Sequence, residues 1–268
     1  MNVALIQFNS RWEAKRENLE RAEEFVQRAA EDHCDVVIFP EMFATGFSMN
    51  IPAVADEGYG ETAIALSHMA KKYSINLIAG YAMVGPGGGK ARNMAVVFNR
   101  KGQPNVTYTK IHPFSFVGED KHFIAGTATS TFTIDDLPCS VFICYDLRFP
   151  EVFRSVAKEV QAIFVIANWP TSRKAHWEAL LKARAIENQC FIIGVNRIGT
   201  DGNGIHYPGA SHIFDPLGND LCSGNDTDEY ITGALDPAEV ERVRSAFPFL
   251  NDMKHCILEF DNGENHIS

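Results

Sequence analysis

The sequence lacks the features that define membrane, secreted and nucleic-acid-binding proteins. No apolar run approaches the roughly 20 residues that a membrane-spanning helix needs. The apolar stretch at the N-terminus ends by Phe8 and has no basic segment before it, so it does not resemble a signal peptide. The formal net charge is -10, whereas binding to phosphate groups requires a basic surface. We therefore expect neither a membrane nor a nucleic acid as a partner.

Signals for disulfide bonds are also missing. The six cysteines are scattered along the chain, and none forms a Cys-x-x-Cys pair. A chain of 268 residues is long enough to bury a stable core without disulfide bonds. The cysteines are therefore predicted to be free thiols in a reducing compartment, which favours a cytoplasmic protein.

Strand-like and helix-like patterns alternate along the chain and predict a layered α/β fold. Continuous apolar runs indicate buried strands, and Leu19, Ala22 and Val26 recur on one face of a predicted helix. Strands are predicted at 3–8, 36–39, 77–84, 94–98, 106–109, 130–134, 139–143, 162–167, 190–195, 210–214 and 229–235. Helices are predicted at 14–31, 61–72 and 174–188, with two more starting at Pro150 and after Asp236.

The chain shows no linker, repeat or low-complexity segment, which predicts one domain over residues 1–268. The glycine-rich segment 85–89 joins two predicted strands and is therefore interpreted as a hairpin loop. A phosphate-binding loop would lead into a helix instead. The tail 247–268 is expected to lie on the surface or to pack on a partner subunit.

Three reactive side chains, Glu41, Lys110 and Cys144, each lie at the end of a predicted strand. In open α/β sheets, ligands bind at the carboxyl ends of strands, so residues far apart in sequence can converge there. Taken singly, each residue has a simpler interpretation: a solvated carboxylate, a surface cation and a small buried hydrophobe. The three together indicate a reactive site.

A carboxylate, an ammonium and a thiol form a chemically complete set. A cysteine thiol has an ordinary pKa near 8.5 and must lose its proton to attack. Glu41 can take that proton as a general base. Lys110 can lower the thiol pKa and stabilise the oxyanion of a tetrahedral intermediate, with the backbone N–H of Tyr145 as a second donor.

The segments around these residues form a recognisable set: Phe39-Pro40-Glu41-Met42-Phe43, Lys110-Ile111-His112 and Cys144-Tyr145-Asp146-Leu147-Arg148-Phe149-Pro150-Glu151. In this order they resemble the three motif regions of the nitrilase, or carbon–nitrogen hydrolase, superfamily. The resemblance extends from Val3 to about Asp236. It implies a four-layer α-β-β-α sandwich and amide hydrolysis through a cysteine thioester. It implies no metal and no organic cofactor.

The resemblance also implies roles for individual residues. By it, Glu41 is the general base, Cys144 the nucleophile and Lys110 the oxyanion stabiliser. Glu119 matches the family's second glutamate, which orients the base and the lysine. Homo-oligomers are usual in the family, which implies a homodimer or a larger homo-oligomer.

Residues 40–49 and 146–150 are most similar to the bacterial ω-amidase-like branch of the superfamily. Members of that branch hydrolyse the terminal amide of 2-oxoglutaramate or 2-oxosuccinamate to an acid plus ammonia. The resemblance therefore implies a small amide that carries a carboxylate as the substrate. The aromatic loop 113–116 departs from the branch and is expected to shape the pocket.

Four residues near the three motifs are candidates for substrate binding. Tyr145, Trp169 and Phe116 can form walls of the pocket, although some aromatic residues must belong to the core. Arg148 can hold a substrate carboxylate through a bidentate contact, or it can form a structural ion pair with Glu151.

Other functions are compatible with parts of this pattern. An N-carbamoyl amino acid amidohydrolase, another aliphatic amidase and a nitrilase would share the three reactive residues. The order Cys144-Tyr145-Asp146 favours an amidase over a nitrilase. A catalytically silent scaffold would have lost one of the three residues. A redox-sensing thiol protein needs a resolving cysteine, and none lies near Cys144 in sequence.

Overall fold

Two β-sheets lie face to face between outer helices in the computed structural model, which describes residues 1–227 and 229–254. The strands are β1 (Asn2–Ile6), β2 (Val36–Ile38), β3 (Ala55–Glu57), β4 (Asn76–Val84), β5 (Arg92–Phe98), β6 (Pro104–Thr109), β7 (Thr131–Ile134), β8 (Leu137–Ile143), β9 (Ala162–Ala167), β10 (Phe191–Asn196), β11 (Ile198–Thr200), β12 (His206–Pro208), β13 (His212–Phe214), β14 (Asp220–Ser223) and β15 (Tyr230–Ala234). The α-helices are α1 (Lys15–Glu31), α2 (Ile51–Val54), α3 (Glu61–Tyr73), α4 (Glu119–His122), α5 (Pro150–Val156), α6 (Lys174–Asn188) and α7 (Pro237–Ala246). Short 3-10 helices cover Ser115–Val117, Cys144–Arg148, Thr171–Arg173 and Phe249–Asp252.

Each sheet has a parallel centre with antiparallel strands on both sides. The first sheet has the order β15-β1-β2-β4-β5-β6, with β3 paired to β4. The second sheet has the order β14-β13-β10-β9-β8-β7. Strands β1, β2 and β4 are parallel in the first sheet, and β8, β9 and β10 are parallel in the second. Parallel strands are covered on both faces, which explains their continuous apolar sequences.

Apolar side chains fill the space between the sheets and the space under the helices. Leu5 of the first sheet and Ile166 of the second belong to one cluster of buried residues. On the other face of the first sheet, Ile6 packs in a cluster with Leu19 of α1. Trp177 of α6 packs against the second sheet. This arrangement is an α-β-β-α sandwich and confirms the predicted fold class.

Every predicted strand and helix has a counterpart in the structure, and the elements that the sequence analysis missed are short or polar. Strand β9 and helix α6 have the predicted bounds, and Asp236 caps α7 as predicted by accepting a hydrogen bond from the backbone N–H of Ala238. The sequence analysis missed β14, a mostly exposed strand that lacks an apolar run. It also missed β3, β11, β12, α2 and α4, which have three or four residues each.

Two further observations concern the C-terminal part of the chain. Strand β15 pairs with β1, so the last two predicted strands belong to different sheets. Of the tail 247–268, residues 255–268 lie outside the described residues. None of the helices in residues 1–227 and 229–254 has the length and apolar composition that crossing a bilayer requires.

Gly80 in the middle of β4 lets the chain around Glu41 lie against the first sheet. The Gly80 backbone N–H donates to the carbonyl of Pro40, and its carbonyl accepts from the N–H of Phe43, both at 3.2 Å. A Cβ atom at this position would lie 2.7 Å from the Cα of Glu41 and 2.8 Å from the backbone nitrogen of Met42. These neighbours are backbone atoms, so they cannot move aside as a flexible side chain would.

We expect Gly80→Ala to displace the Glu41 backbone. Overpacking of this kind typically costs about 1–3 kcal/mol of the free energy of unfolding. Urea unfolding would show a lower midpoint, and amide turnover would fall because Glu41 is moved. Gly85→Ala is the matched control, since nothing lies within 4 Å of a Cβ there. Equal midpoints for the two variants would contradict this account of Gly80.

Candidate active site

Glu41 is a buried carboxylate on a turn that follows β2. The next residue, Met42, has a left-handed backbone with φ of 46°. The Glu41 carboxylate accepts hydrogen bonds from Lys110 Nζ at 2.8 Å, Asn93 Nδ2 at 2.7 Å and the backbone N–H of Asn168 at 2.9 Å. Burial alone would raise the pKa of Glu41, but the charge of Lys110 and these hydrogen bonds hold it below its ordinary value. Glu41 is therefore ionised at neutral pH.

Lys110 follows β6 and lies between two carboxylates. Its side chain is 1% exposed, and Nζ is 2.8 Å from Glu41 Oε1 and 2.9 Å from Glu119 Oε2. Glu119 begins the short helix α4 and also accepts from Asn93 Nδ2 at 2.8 Å and from the N–H of Phe114. Burial alone would lower the pKa of Lys110, but the carboxylates of Glu119 and Glu41 raise it well above its ordinary value.

Cys144 lies where β8 ends and a 3-10 helix begins. Its φ is 47°, in the left-handed region that residues other than glycine rarely adopt. Such a conformation costs on the order of 1–3 kcal/mol and is typical of functional turns. The thiol faces the carbonyl oxygen of Asn168, with Sγ 3.9 Å from it.

The charges around Cys144 keep its proton on the sulfur. Burial raises the pKa of the thiol well above its ordinary value, Glu41 and Glu119 raise it further, and Lys110 opposes them. The sequence analysis expected Lys110 to lower this pKa, and its charge does act in that direction. The net effect is the opposite, because burial is the largest contribution and the carboxylates of Glu41 and Glu119 act in the same direction as burial.

Asp146 ties the segment after Lys110 to the turn that carries Cys144. Its buried carboxylate accepts from the Tyr108 hydroxyl at 2.8 Å, the backbone N–H of His112 at 2.9 Å and that of Ile143 at 3.1 Å. The His112 ring nitrogen Nδ1 also lies 2.8 Å from it. Tyr108 and His112 flank Lys110. The Asp146 side chain therefore fixes the Cys144 turn relative to the segment that carries the lysine.

A cavity of about 520 Å³ opens onto the Cys144 sulfur. Tyr145, Trp169 and Arg148 all line it, as the sequence analysis expected for substrate-binding residues. The Arg148 guanidinium lies 4.8 Å from the centre of the Trp169 ring and 6.0 Å from that of Tyr145. Among the described residues, no carboxylate is within ion-pair distance of Arg148, so the alternative ion pair with Glu151 is not formed.

Phe116 does not line the cavity, in contrast to the expectation. Its side chain is 85% exposed, and its ring stacks on Phe114 with the centres 5.8 Å apart. Phe114 is the member of the 113–116 loop that lines the cavity, where its ring lies 4.8 Å from that of Tyr145. Phe114 precedes the 3-10 helix Ser115–Val117, whereas Phe116 lies within it.

The sequence analysis missed several polar residues of the site. Asn168 follows β9 in the way that Cys144 follows β8, and this position was the available signal. Its Nδ2 group donates to the Glu41 backbone carbonyl at 2.7 Å. Asn93 bridges the two glutamates from within β5, and its sequence context gives no signal for that role. Within residues 1–227 and 229–254, no group of three His, Cys, Asp or Glu side chains has the arrangement of a metal site.

A cysteine beside a buried Glu–Lys–Glu cluster, on an α-β-β-α sandwich, defines a thiol-dependent hydrolase of carbon–nitrogen bonds. A sequence model of the carbon-nitrogen hydrolase family matches residues 2–245, and the chain belongs to this family.

Similar proteins agree with this assignment. A Bacillus subtilis protein named 2-oxoglutaramate amidase is 32% identical, and the alignment covers 94% of this chain and 97% of the relative. Omega-amidase YafV of Escherichia coli K12 is 35% identical over 81% of this chain and 84% of its own. The crystal structure of XC1258 from Xanthomonas campestris, a CN-hydrolase superfamily protein with an arsenic adduct in its active site, has a TM-score of 0.90 at 28% identity and covers 97% of this chain and 99% of its own.

The charge balance of the site predicts the effect of Glu41→Gln on the thiol. The variant removes one of the two carboxylates that repel a thiolate, so the pKa of Cys144 should fall. The rate at which iodoacetamide alkylates Cys144, followed by mass spectrometry across pH, should therefore rise at a lower pH than in the wild type. Amide turnover should fall about 100- to 10,000-fold because the proposed general base is lost.

The exposed Glu151→Gln variant is the control for a change of one unit of charge. We expect it to leave both the alkylation profile and the turnover unchanged. An alkylation profile that moves to higher pH in Glu41→Gln would show that Glu41 does not repel the thiolate.

Proposed function

We propose that this protein hydrolyses the terminal amide of a small 2-oxo acid monoamide, such as 2-oxoglutaramate or 2-oxosuccinamate, and releases ammonia. One observation carries the proposal: the cavity at Cys144 is lined by Arg148, a cation without a carboxylate partner among the described residues. A substrate with an amide at one end and a carboxylate at the other can engage both. The relatives named 2-oxoglutaramate amidase and omega-amidase support the same class of substrate.

In the first step of the proposed reaction, Cys144 Sγ forms a bond to the amide carbon while its proton passes to Glu41. The proton leaves the sulfur only as this bond forms, since the surrounding charges disfavour a free thiolate. The amide oxygen becomes an oxyanion. The Lys110 ammonium and the backbone N–H of Tyr145 are the proposed donors to it.

In the second step, the C–N bond breaks, and Glu41 returns its proton to the departing nitrogen. Ammonia leaves, and the acyl group remains on Cys144 as a thioester. A water molecule then attacks the thioester carbon and gives a proton to Glu41. When the C–S bond breaks, that proton returns to sulfur and the acid is released.

Glu119 has a supporting role in this proposal. Its carboxylate accepts a hydrogen bond from Lys110 Nζ at 2.9 Å, as Glu41 also does, and its charge raises the pKa of the ammonium. A lysine held by two carboxylates has a fixed position, so its charge is already in place when the oxyanion forms.

The substrate-binding part of the proposal involves Arg148, Trp169 and Tyr145. Trp169 is buried, and its backbone N–H donates to Asn196 Oδ1 at 2.7 Å, which fixes the wall on which Arg148 rests. A guanidinium on a rigid aromatic wall is suited to bidentate contact with a carboxylate.

We also propose a cytoplasmic homo-oligomer, a dimer or larger, whose subunit is a single domain over residues 1–268. Five cysteines of the described residues are free thiols, which supports a reducing compartment. Ile186 of α6 and Leu217, which lies between β13 and β14, have exposed apolar side chains, and they support a subunit contact.

The substrate proposal predicts which amides release ammonia. The panel contains 2-oxoglutaramate, 2-oxosuccinamate, glutamine, asparagine, N-carbamoyl amino acids and simple nitriles. We expect the two oxo-amides to be turned over far faster than the other compounds, and this turnover to be lost in Cys144→Ala because the thioester cannot form. Turnover of carbamoyl compounds or nitriles instead would agree with the proposed roles of the reactive residues but contradict the proposed substrate.

The proposed carboxylate contact predicts the effect of Arg148→Gln. The value of kcat/KM for 2-oxoglutaramate should fall about 10- to 100-fold, since a hydrogen bond to a charged group contributes about 1.5–3 kcal/mol. The loss should appear mainly in KM, because the carboxylate is bound equally in the ground and transition states. An unchanged KM would exclude Arg148 as the carboxylate contact.

A further inference from the structure

We propose that Arg173 is a second specificity-determining residue, which acts with Arg148 on the 2-oxo acid end of the substrate. The two arginines together accept an oxo group beside a carboxylate and exclude the ammonium of an amino acid amide. This inference rests on the proposed function and extends it to a residue outside the three motifs.

Arg173 lines the same cavity as Cys144 and Arg148. It ends the 3-10 helix Thr171–Arg173, and its carbonyl accepts a hydrogen bond from Trp169 Nε1 at 2.8 Å. Its guanidinium lies 5.4 Å from the centre of the Phe114 ring. The backbone contact is independent of the side chain, so a substitution at Arg173 can remove the guanidinium without releasing Trp169.

The two guanidiniums pack against one wall of aromatic side chains. Arg173 rests on Phe114, Phe114 packs on Tyr145 at 4.8 Å, and Arg148 lies over Tyr145 and Trp169. All of these residues line the same cavity as Cys144. A ligand whose amide reaches Cys144 therefore occupies a cavity whose lining includes both cations, and these are the proposed contacts of its other end.

The two arginines that line the cavity have no carboxylate partner among the described residues, whereas the carboxylates of the cavity accept hydrogen bonds from other groups. Among the described residues, neither Arg148 nor Arg173 has a carboxylate within ion-pair distance. Asp201 accepts from the Tyr207 hydroxyl at 2.8 Å and from two backbone N–H groups. Glu13 accepts hydrogen bonds from Ser48 Oγ and from Asn50 Nδ2.

This distribution of charge distinguishes 2-oxoglutaramate from glutamine. Both have a terminal amide and a carboxylate, and they differ only in the group on the α-carbon. An oxo group accepts a hydrogen bond from a guanidinium, whereas an α-ammonium is a donor with the same charge as Arg148 and Arg173. The like-charge contact with the two guanidiniums therefore disfavours the second ligand.

Steady-state kinetics of Arg173→Gln, Arg173→Lys and Lys174→Gln test the inference. The substrates are 2-oxoglutaramate, glutamine and butyramide, a neutral amide with neither carboxylate nor oxo group. Lys174 is the matched control because it is the adjacent cation, is exposed, pairs with Glu178 at 3.7 Å and does not line the cavity.

For Arg173→Gln we expect kcat/KM on 2-oxoglutaramate to fall about 10- to 100-fold, mainly through KM. The ratio of 2-oxoglutaramate to glutamine turnover should fall with it, while butyramide changes less than about twofold. Arg173→Lys should recover part of the loss, and Lys174→Gln should match the wild type. In a Cys144→Ala background, calorimetry should show the same loss of affinity for 2-oxoglutarate when Arg173 is changed.

Two outcomes would overturn the inference while leaving the proposed function intact. One is wild-type kinetics of Arg173→Gln on 2-oxoglutaramate. The other is an equal loss on butyramide, which would mean that Arg173 supports the structure of the site only. By contrast, no turnover of 2-oxoglutaramate by the wild type would overturn the proposed function, and the calorimetry would still decide whether Arg173 binds an oxo acid.

Discussion

The structure depends on the burial of one ammonium between two carboxylates. Lys110, Glu41 and Glu119 are buried, and each would be costly there without the other two. Asn93 donates to both carboxylates, so the cluster has hydrogen bonds as well as opposite charges. Loss of Lys110 would leave two carboxylates without a counter-charge in the core, and breaking a buried ion pair typically costs about 3–5 kcal/mol. The proposed chemistry and the stability of this region therefore involve the same residues.

The two sheets have different tasks in assembling the site. Glu41 and Lys110 follow strands of the first sheet, whereas Cys144 follows a strand of the second. Their relative position is fixed by hydrogen bonds that cross between the sheets. Asn168, after β9, donates to Glu41, and Asp146, after β8, accepts from Tyr108 of β6. The packed apolar layer between the sheets sets their separation, and these polar contacts set their register.

Much of this arrangement could be predicted from the sequence, because the three reactive residues share one property: each lies just after a strand that the sequence pattern predicts. Asn93 could not be predicted, since a polar residue inside a strand gives no indication of which groups face it. Phe114 and Phe116 could not be separated either, because their exposure depends on a short 3-10 turn. The direction of the thiol pKa also required the structure. It is a sum over burial and three neighbouring charges, and the sequence shows only which charges exist.

The left-handed backbone at Cys144 has an evolutionary consequence. Glycine is the residue that adopts a φ of 47° with least strain, so a substitution to glycine would relieve the turn and remove the nucleophile in one step. Selection for stability and selection for activity thus act in opposite directions at this position. A cysteine at this position therefore carries backbone strain on the order of 1–3 kcal/mol, and its proposed role as the nucleophile accounts for that cost.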